Sequence, residues 1–168
     1  ELVSTNAKHA LHLIPSDVYI GRVLCLISFH LCRSRRFILC LELLQDALNE
    51  VGLPFKKTTV GVLGLSYKAN VSDLRESPVK ELLKLLKKNK ANVLIFDPHV
   101  LEKSTVKNIT ELLKKSDAIL LATDHSEFKK IDPKLFQKYG IKVVIDGKNC
   151  LDKEAIKKTG IVYKGIGR

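Results

Sequence analysis

Residues 64–78, GLSYKANVSDLRESP, carry an unusual density of charged and hydroxyl side chains. An apolar run precedes them and the amphipathic segment VKELLKLLKKN follows, which predicts a turn between a strand and a helix. Such turns often hold phosphate on glycine-rich backbone, yet no glycine follows Leu65 before the helix. Tyr67, Lys68 and Arg75 stand there instead, and cations bind phosphate through strong charge-assisted hydrogen bonds. The turn therefore predicts a site for a phosphorylated ligand.

The elements that must position this turn alternate between strands and helices from residue 58 onward. Apolar strands are predicted at 58–64, 92–96, 117–121, 142–146 and 160–163. Amphipathic helices are predicted at 77–89, 106–115, 132–139 and 151–158. This alternation predicts an α/β fold, a Rossmann-like doubly wound parallel sheet of about five strands, preceded by a long helix. Gly52 is the predicted C-terminal cap of that first helix.

Ligands of such sheets bind at the carboxyl ends of the strands, and four polar segments follow the predicted strands. These segments are 65–77, 96–100, 122–128 and 146–150. They hold the following polar residues in addition to those of the opening turn: Asp97, His99, Thr123, Asp124, His125, Asp146, Lys148 and Asn149. We expect them to meet at one edge of the sheet.

A dinucleotide site of the usual Rossmann kind is disfavoured by the glycine spacing. Gly61 and Gly64 form GxxG rather than GxGxxG. Asp97 resembles the ribose-binding acid of such a site, but Asp-Pro after a strand also predicts a turn in which the carboxylate caps local backbone. His99 and His125 are expected to be hydrogen-bonding surface residues rather than catalytic bases or metal ligands.

Two further local predictions concern the opening turn. Ser77 has no base beside it in the sequence, so it is predicted to cap the helix that starts at Pro78. Asp73 and Glu76 flank Arg75, and we expect them to orient its guanidinium through ion pairs.

The composition is that of a globular domain, with 45% hydrophobic and 28% charged residues among 168. Cys25, Cys32, Cys40 and Cys150 form no CxxC pair, so no metal is expected, and reduced thiols favour a cytoplasmic location. The apolar stretch 18–41 is interrupted by charges, so no membrane partner is expected. The sequence begins with Glu1 and lacks methionine, so we expect a piece of a longer protein.

The net charge of +11 arises within residues 51–168 and comes mostly from lysine. A basic surface attracts nucleic acid, membranes or small anions. The lysines fall mainly on polar helix faces, which favours an ordinary solvated surface. Because the sequence has no aromatic stacking platform or known nucleic-acid motif, no nucleic-acid partner is expected.

The stretch VGVLGLSYKANVSDLRESPVKELL resembles the opening of the C-terminal, UDP-binding domain of the UDP-glucose/UDP-N-acetylmannosamine dehydrogenase family. FDPHV, SDAILLATDHSEF and VVIDGKNCLD are similar to the later strand ends of that domain. The likeness runs from about Leu41 to Arg168. The form NVxDxRESP leans toward the UDP-N-acetylmannosamine branch.

The resemblance implies an NAD-dependent oxidoreductase that oxidises the primary alcohol of a UDP-sugar to a carboxylate. It implies that Tyr67 and Lys68 contact the UDP-sugar, and that Lys148 does so in place of the usual arginine. Arg75 is implied to reach NAD, which a separate N-terminal Rossmann domain would bind. The family's catalytic cysteine lies in a glycine-rich motif that none of the four cysteines here possesses. No catalytic residue is therefore expected in this chain, and the isolated chain is expected to be inactive.

The resemblance also divides the chain. Residues 1–52 are expected to be a remnant of the central linking and dimerisation helix, and 53–168 to be the UDP-sugar-binding domain. Residues 9–40 match nothing in the family, which leaves homodimerisation through that helix open. The implied role is the supply of uronic-acid-type precursors for surface polysaccharide or glycoprotein glycans. The alternative is a non-catalytic, stand-alone nucleotide-binding module from a truncated gene.

Overall fold

A computed structural model of the chain describes residues 36–167, all of which belong to one compact unit. Predictions about residues 9–35, including Cys25 and Cys32, lie outside the described residues. Residues 36–50 are helical (α1). The helix ends as predicted, because Gly52 has a φ of +68° and the Leu53 amide donates to the Leu48 carbonyl at 2.9 Å.

Five strands form one sheet in which all neighbours are parallel, which confirms the predicted fold class. The strands are β1 (Thr59–Leu63), β2 (Asn92–Phe96), β3 (Ala118–Leu121), β4 (Val143–Asp146) and β5 (Val162–Gly165). Their order across the sheet is β2-β1-β3-β4-β5. In this register Val62 lies beside Ile95 on one side and Leu120 on the other.

Five further helices connect the strands: α2 (Val79–Lys88), α3 (Ile109–Lys115), α4 (Ser126–Lys129), α5 (Pro133–Lys138) and α6 (Lys153–Lys158). Side-chain caps begin three of them, since Asn108, Asp132 and Asp152 each accept a hydrogen bond from a backbone amide of the first turn. The single-turn helix α4 lies where the sequence predicted only a polar segment. Among residues 36–167 no helix is long and apolar enough to cross a membrane.

The sheet is covered on both faces, as a doubly wound fold requires. One apolar cluster joins α1 and α2 to alternate strand positions, with Leu44, Leu82, Val60 and Leu120 as members. The other joins α3, α4, α5 and α6 to the intervening strand positions. The division predicted at residue 52 remains a prediction, while α1 packs in the same cluster as β1 and α2.

Candidate functional site

The carboxyl edge of the sheet has its switch point between β1 and β3. The chain leaves β1 toward β2 on one side, and the later strands continue on the other side. In open sheets of this order a ligand crevice forms where the two directions part. The loop 64–78 leaves β1 at this point, and residues 122–125 leave β3 beside it. Hydrogen bonds and an ion pair link all four predicted polar segments, as expected.

Asp97 holds the start of the loop. Its Oδ2 accepts hydrogen bonds from the amides of Leu65 (2.6 Å) and Ser66 (2.9 Å) and from the Ser66 hydroxyl (2.9 Å). Its Oδ1 accepts from the His99 amide at 2.9 Å. The side chain is fully buried, which opposes ionisation, but hydrogen bonds from His125, Leu65, His99 and Ser66 outweigh burial and hold the pKa of Asp97 below its usual range. Asp97 is thus a buried anion that caps backbone.

His125 is buried, so its prediction as a surface residue was wrong. Its Nε2 lies 3.2 Å from Oδ2 of Asp97, and its Nδ1 accepts a hydrogen bond from the Asn70 amide at 2.9 Å. Phe128, on the following turn, contacts the ring edge-on at a centroid distance of 5.3 Å. The residue occupies the N-cap position of α4, the short helix that the sequence did not predict.

Two further contacts close the loop. Asn70, which has a φ of +58°, exchanges hydrogen bonds with Ser126: its Nδ2 donates to Oγ at 2.8 Å and its Oδ1 accepts from the amide at 3.0 Å. Ser77 donates to the Leu65 carbonyl at 2.6 Å. The N-cap position of α2 belongs to Pro78, and Ser77 Oγ accepts only a long bond from the Val79 amide, at 3.4 Å. The main role of Ser77 is therefore to tie the two ends of the loop together, not the cap that was predicted.

The predicted ligand-binding side chains stand on the outer part of this loop. Tyr67 is half-buried and Lys68 is exposed, with its Nζ 5.7 Å from the centre of the Tyr67 ring. Arg75 is 90% exposed, and Asp73 accepts hydrogen bonds from its Nε (3.1 Å) and Nη2 (3.2 Å). These bonds lower the pKa of Asp73, while Glu76 adds a weaker attraction to Arg75. An open pocket of about 300 Å³ lies among Tyr67, Asp73, Arg75 and Glu76.

Lys148 follows β4, and its Nζ lies 3.3 Å from Oδ1 of Asp124 at the end of β3. Burial raises the pKa of the Asp124 carboxyl, but the nearby Lys148 outweighs it, so the net direction is downward. Lys129 approaches the other oxygen of Asp124 at 3.9 Å. The ammonium of Lys148 therefore has a defined partner, and the side chain as a whole is 23% exposed.

Asp146 and Asn149, grouped with the predicted binding residues, serve the scaffold instead. Asp146 is buried and accepts hydrogen bonds from the Leu151 amide (2.8 Å) and the Tyr163 hydroxyl (3.0 Å). Asn149 donates to the Ile166 carbonyl at 2.6 Å. Both side chains fasten the loop after β4 to β5 and to the residue that follows it.

The two described cysteines are free thiols. Burial is the largest cause that raises the pKa of Cys40, to about 12. Burial, with the carboxylates of Asp146 and Asp124, raises the pKa of Cys150 to about 11. Neither sulfur is a thiolate at neutral pH, and an unactivated thiol is a poor nucleophile.

The turn after β1 does not fit the pyrophosphate of NAD. The amides of Leu65 and Ser66 point at the Asp97 carboxylate. Both glycines serve packing: a Cβ at Gly61 would overlap the Leu112 side chain, and one at Gly64 would lie 2.5 Å from Cβ of Thr123. Residues 36–167 therefore show no dinucleotide cradle of the Rossmann type.

One cluster of potential metal ligands occurs among the described residues: His99, His125 and Glu127, with donor atoms within 4.8 Å of one another. His125 already uses both ring nitrogens, on Asn70 and Asp97. His99 Nε2 lies 3.5 Å from the Glu127 carboxylate. Only two ligands would remain for an ion, too few for the usual tetrahedral zinc site.

The sequence did not predict three roles. Asp124 pairs with Lys148, the buried His125 accepts a hydrogen bond from Asn70, and Ser66 donates hydrogen bonds to Asp97. Asp124 and His125 were in the predicted inventory. Their partners are 24 to 55 residues away along the chain, so only the strand register shows the pairing.

Comparison with known proteins gives a consistent result. The model of the UDP-glucose/GDP-mannose dehydrogenase family, UDP binding domain, matches residues 61–153. The UDP-N-acetyl-D-mannosamine dehydrogenase of Pyrococcus horikoshii is 29% identical over 164 residues, which are 94% of this chain and 38% of that protein. The UDP-glucose 6-dehydrogenase of Rickettsia felis is 34% identical over 123 residues, 67% of this chain and 28% of that protein.

Solved structures agree. The UDP-D-ManNAc dehydrogenase of Pyrococcus horikoshii superposes with a TM-score of 0.72 at 30% identity, covering 79% of this chain and 31% of that one. The chain thus spans between 28% and 38% of the length of these relatives.

Proposed function

The chain belongs to the UDP-glucose/GDP-mannose dehydrogenase family through its UDP binding domain, and from this premise we propose that residues 53–168 hold the UDP part of a nucleotide sugar. The substrate we propose for the whole enzyme is UDP-N-acetylmannosamine, with UDP-glucose as the alternative, because relatives of both kinds match. The observation that supports this ligand is the anchored loop 64–78, which presents cations at the switch point of the sheet.

In this proposal Tyr67 and Lys68 contact the nucleotide. Lys68 supplies a positive charge for the diphosphate, and the face of the Tyr67 ring lies 5.7 Å from its ammonium, a cation–π distance. Lys148 contacts the sugar portion from the end of β4, held in place by Asp124. A lysine offers a point charge where arginine would offer a planar fork, so substrate contacts through this residue are less directional.

The oxidation itself requires NAD as the electron acceptor, and we propose that a part of the enzyme other than residues 36–167 binds it. Arg75 is exposed and oriented by Asp73, which suits a contact with a cofactor held by that other part. The described cysteines are protonated thiols, so the catalytic nucleophile also belongs elsewhere. The isolated chain is then a binding domain without turnover. Homodimerisation and the cytoplasmic location stay predictions.

Titration calorimetry of the 168-residue chain with UDP tests this proposal. We expect saturable binding that weakens at least about tenfold in Lys68→Ala, since a charged hydrogen bond contributes about 1.5–3 kcal/mol. Uridine, which lacks the diphosphate, should not distinguish Lys68→Ala from the unmodified chain. Lys87→Ala is the matched control, because Lys87 is an equally exposed lysine on α2 and not on the loop.

Two results would contradict the proposal. A folded chain that gives no heat with UDP or UDP-sugars would rule out nucleotide binding. NAD reduction by the isolated chain with a UDP-sugar would show that the catalytic groups are present in it.

A further inference from the structure

His125 contacts both the loop 64–78, through Asn70, and Asp97, the carboxylate that holds the start of that loop. The ring is fully buried, stacks beside His99 at a centroid distance of 4.7 Å, and meets Phe128 edge-on. The backbone on either side is fixed by the end of β3 and the start of α4. The ring is thus inaccessible to a ligand, yet it makes two polar contacts with named partners.

These contacts define one tautomer. A backbone amide can only donate, so the bond from Asn70 N at 2.9 Å requires a lone pair on Nδ1. The proton of the neutral ring therefore lies on Nε2, which faces the Asp97 carboxylate at 3.2 Å. A second proton on Nδ1 would set two donors against each other inside a buried site.

Asp97 and His125 attach to the loop on either side of Tyr67 and Lys68. Asp97 holds residues 65 and 66, and His125 holds residue 70. Tyr67, Lys68 and Ala69 are the three residues between these two attachment points. Because Asp97 and His125 also bond to each other, the two points are coupled. The backbone that carries Tyr67 and Lys68 is therefore fixed at both ends by one buried pair.

We infer that His125, in its neutral form protonated on Nε2, is a positioning residue for nucleotide binding. Its Nδ1 lone pair holds the Asn70 amide and so keeps Tyr67 and Lys68 in the geometry that binds the diphosphate. This role rests on the proposed function, since it acts only through those two side chains. The Nε2 contact with Asp97 orients the ring, and the Nδ1 contact fixes the position of Asn70 in the loop.

Two substitutions separate these ends of the ring. Asparagine places a carbonyl oxygen close to the position of Nδ1, so His125→Asn keeps an acceptor for Asn70 and loses the reach to Asp97. Glutamine extends to the position of Nε2, so His125→Gln keeps a donor for Asp97 and loses the acceptor. We expect His125→Asn to bind UDP within about threefold of the unmodified chain and His125→Gln to bind about tenfold more weakly, as one lost hydrogen bond predicts.

Calorimetry with UDP and thermal unfolding of both variants distinguish a positioning role for His125 from a purely structural one. If the two affinities follow the unfolding temperatures rather than the position of the acceptor, His125 is only part of the core and the inference is overturned. Absence of UDP binding by the unmodified chain would instead overturn the proposed function, and the positioning role with it.

A second measurement applies even if neither variant folds. The ¹⁵N chemical shifts of the His125 ring in the unmodified chain report which nitrogen carries the proton. We expect Nε2 protonated and Nδ1 unprotonated, both with and without UDP. A protonated Nδ1 in the UDP complex would overturn the inference.

Discussion

Asp97 is a carboxylate with no exposed surface, surrounded by five donor groups from three parts of the chain. The donors are the amides of Leu65 and Ser66, the Ser66 hydroxyl, the His99 amide and the His125 ring. Removing a charge from water is unfavourable unless such bonds replace the water. Here they do so well enough that the pKa of Asp97 falls below its usual range. Ionisation of this side chain is therefore coupled to folding.

We predict that this coupling produces acid lability. Because the folded pKa is lowered, the stabilisation is fully present above the unfolded pKa of about 3.9 and is lost as the pH falls toward the folded value. At neutral pH, Asp97→Asn should cost about 3 kcal/mol, since its amide group would face another donor. It should also flatten the loss of stability below about pH 4.

Urea unfolding at several pH values measures this effect. Asp46→Asn, at an exposed carboxylate on α1, is the control and should change stability little. An acid dependence unchanged in Asp97→Asn would contradict the prediction.

The same residues show how far sequence reasoning reached at this scale. It placed the polar groups in the right four segments, because parallel strands bring their carboxyl ends to one edge. It predicted that Asp97 caps local backbone, and the bond to the His99 amide confirms that. It could not predict the bonds to Leu65, 32 residues away, or to His125, 28 residues away, because these depend on the register between strands.

At the scale of elements, the strands matched their predictions to within about two residues because each is a buried apolar run between polar segments. Helix α4 was not predicted because its four residues, Ser126–Lys129, complete barely one turn, too short for a helical hydrophobic periodicity to show in the sequence. His125 is its N-cap residue and Phe128 on this helix contacts the His125 ring, so α4 borders the buried histidine. The N-terminus of α2 was predicted at Ser77 but lies at Val79, and the Ser77 hydroxyl donates to Leu65 O, a tertiary bond that the local pattern does not reveal.

Gly61 provides a test of how closely α3 must approach β1. An added Cβ would overlap the Leu112 side chain and come within 2.6 Å of Ser116 Oγ, so these buried side chains or α3 itself would have to shift. We predict that Gly61→Ala destabilises the fold by about 2 kcal/mol, in the range of overpacked cores. Thermal unfolding measures the loss.

Gly140→Ala separates packing from backbone strain, because nothing lies within 4 Å of its added Cβ although its φ is +74°. Its cost should be about 1 kcal/mol and should arise from the backbone alone. If Gly61→Ala proved neutral, the close packing of α3 on β1 would be in doubt.

At the scale of the whole molecule, the sheet depends on a cover for each face, and α1 supplies part of one. Leu44 is fully buried on α1, in the cluster that includes Val60 and Leu120. We predict that Leu44→Ala lowers the free energy of unfolding by about 3 kcal/mol, as for other buried leucines. Ile38→Ala, on the same helix but 46% exposed, should cost much less.

Chemical denaturation of the two variants measures the difference. A Leu44→Ala chain that keeps its stability would indicate that residues 53–168 fold independently of the helix. A single transition shifted to lower denaturant would show that α1 and the sheet unfold together.

The Asp97 carboxylate also has a consequence for how the fold chooses its ligands. The Leu65 and Ser66 amides, which a dinucleotide would need, face a competitor attached to the same chain. A tethered competitor acts at an effective concentration that a freely diffusing phosphate does not reach. Restoring the missing glycine would therefore not make this turn accept a pyrophosphate. The negative charge at residue 97 would have to be removed first, at the expense of the loop that it holds.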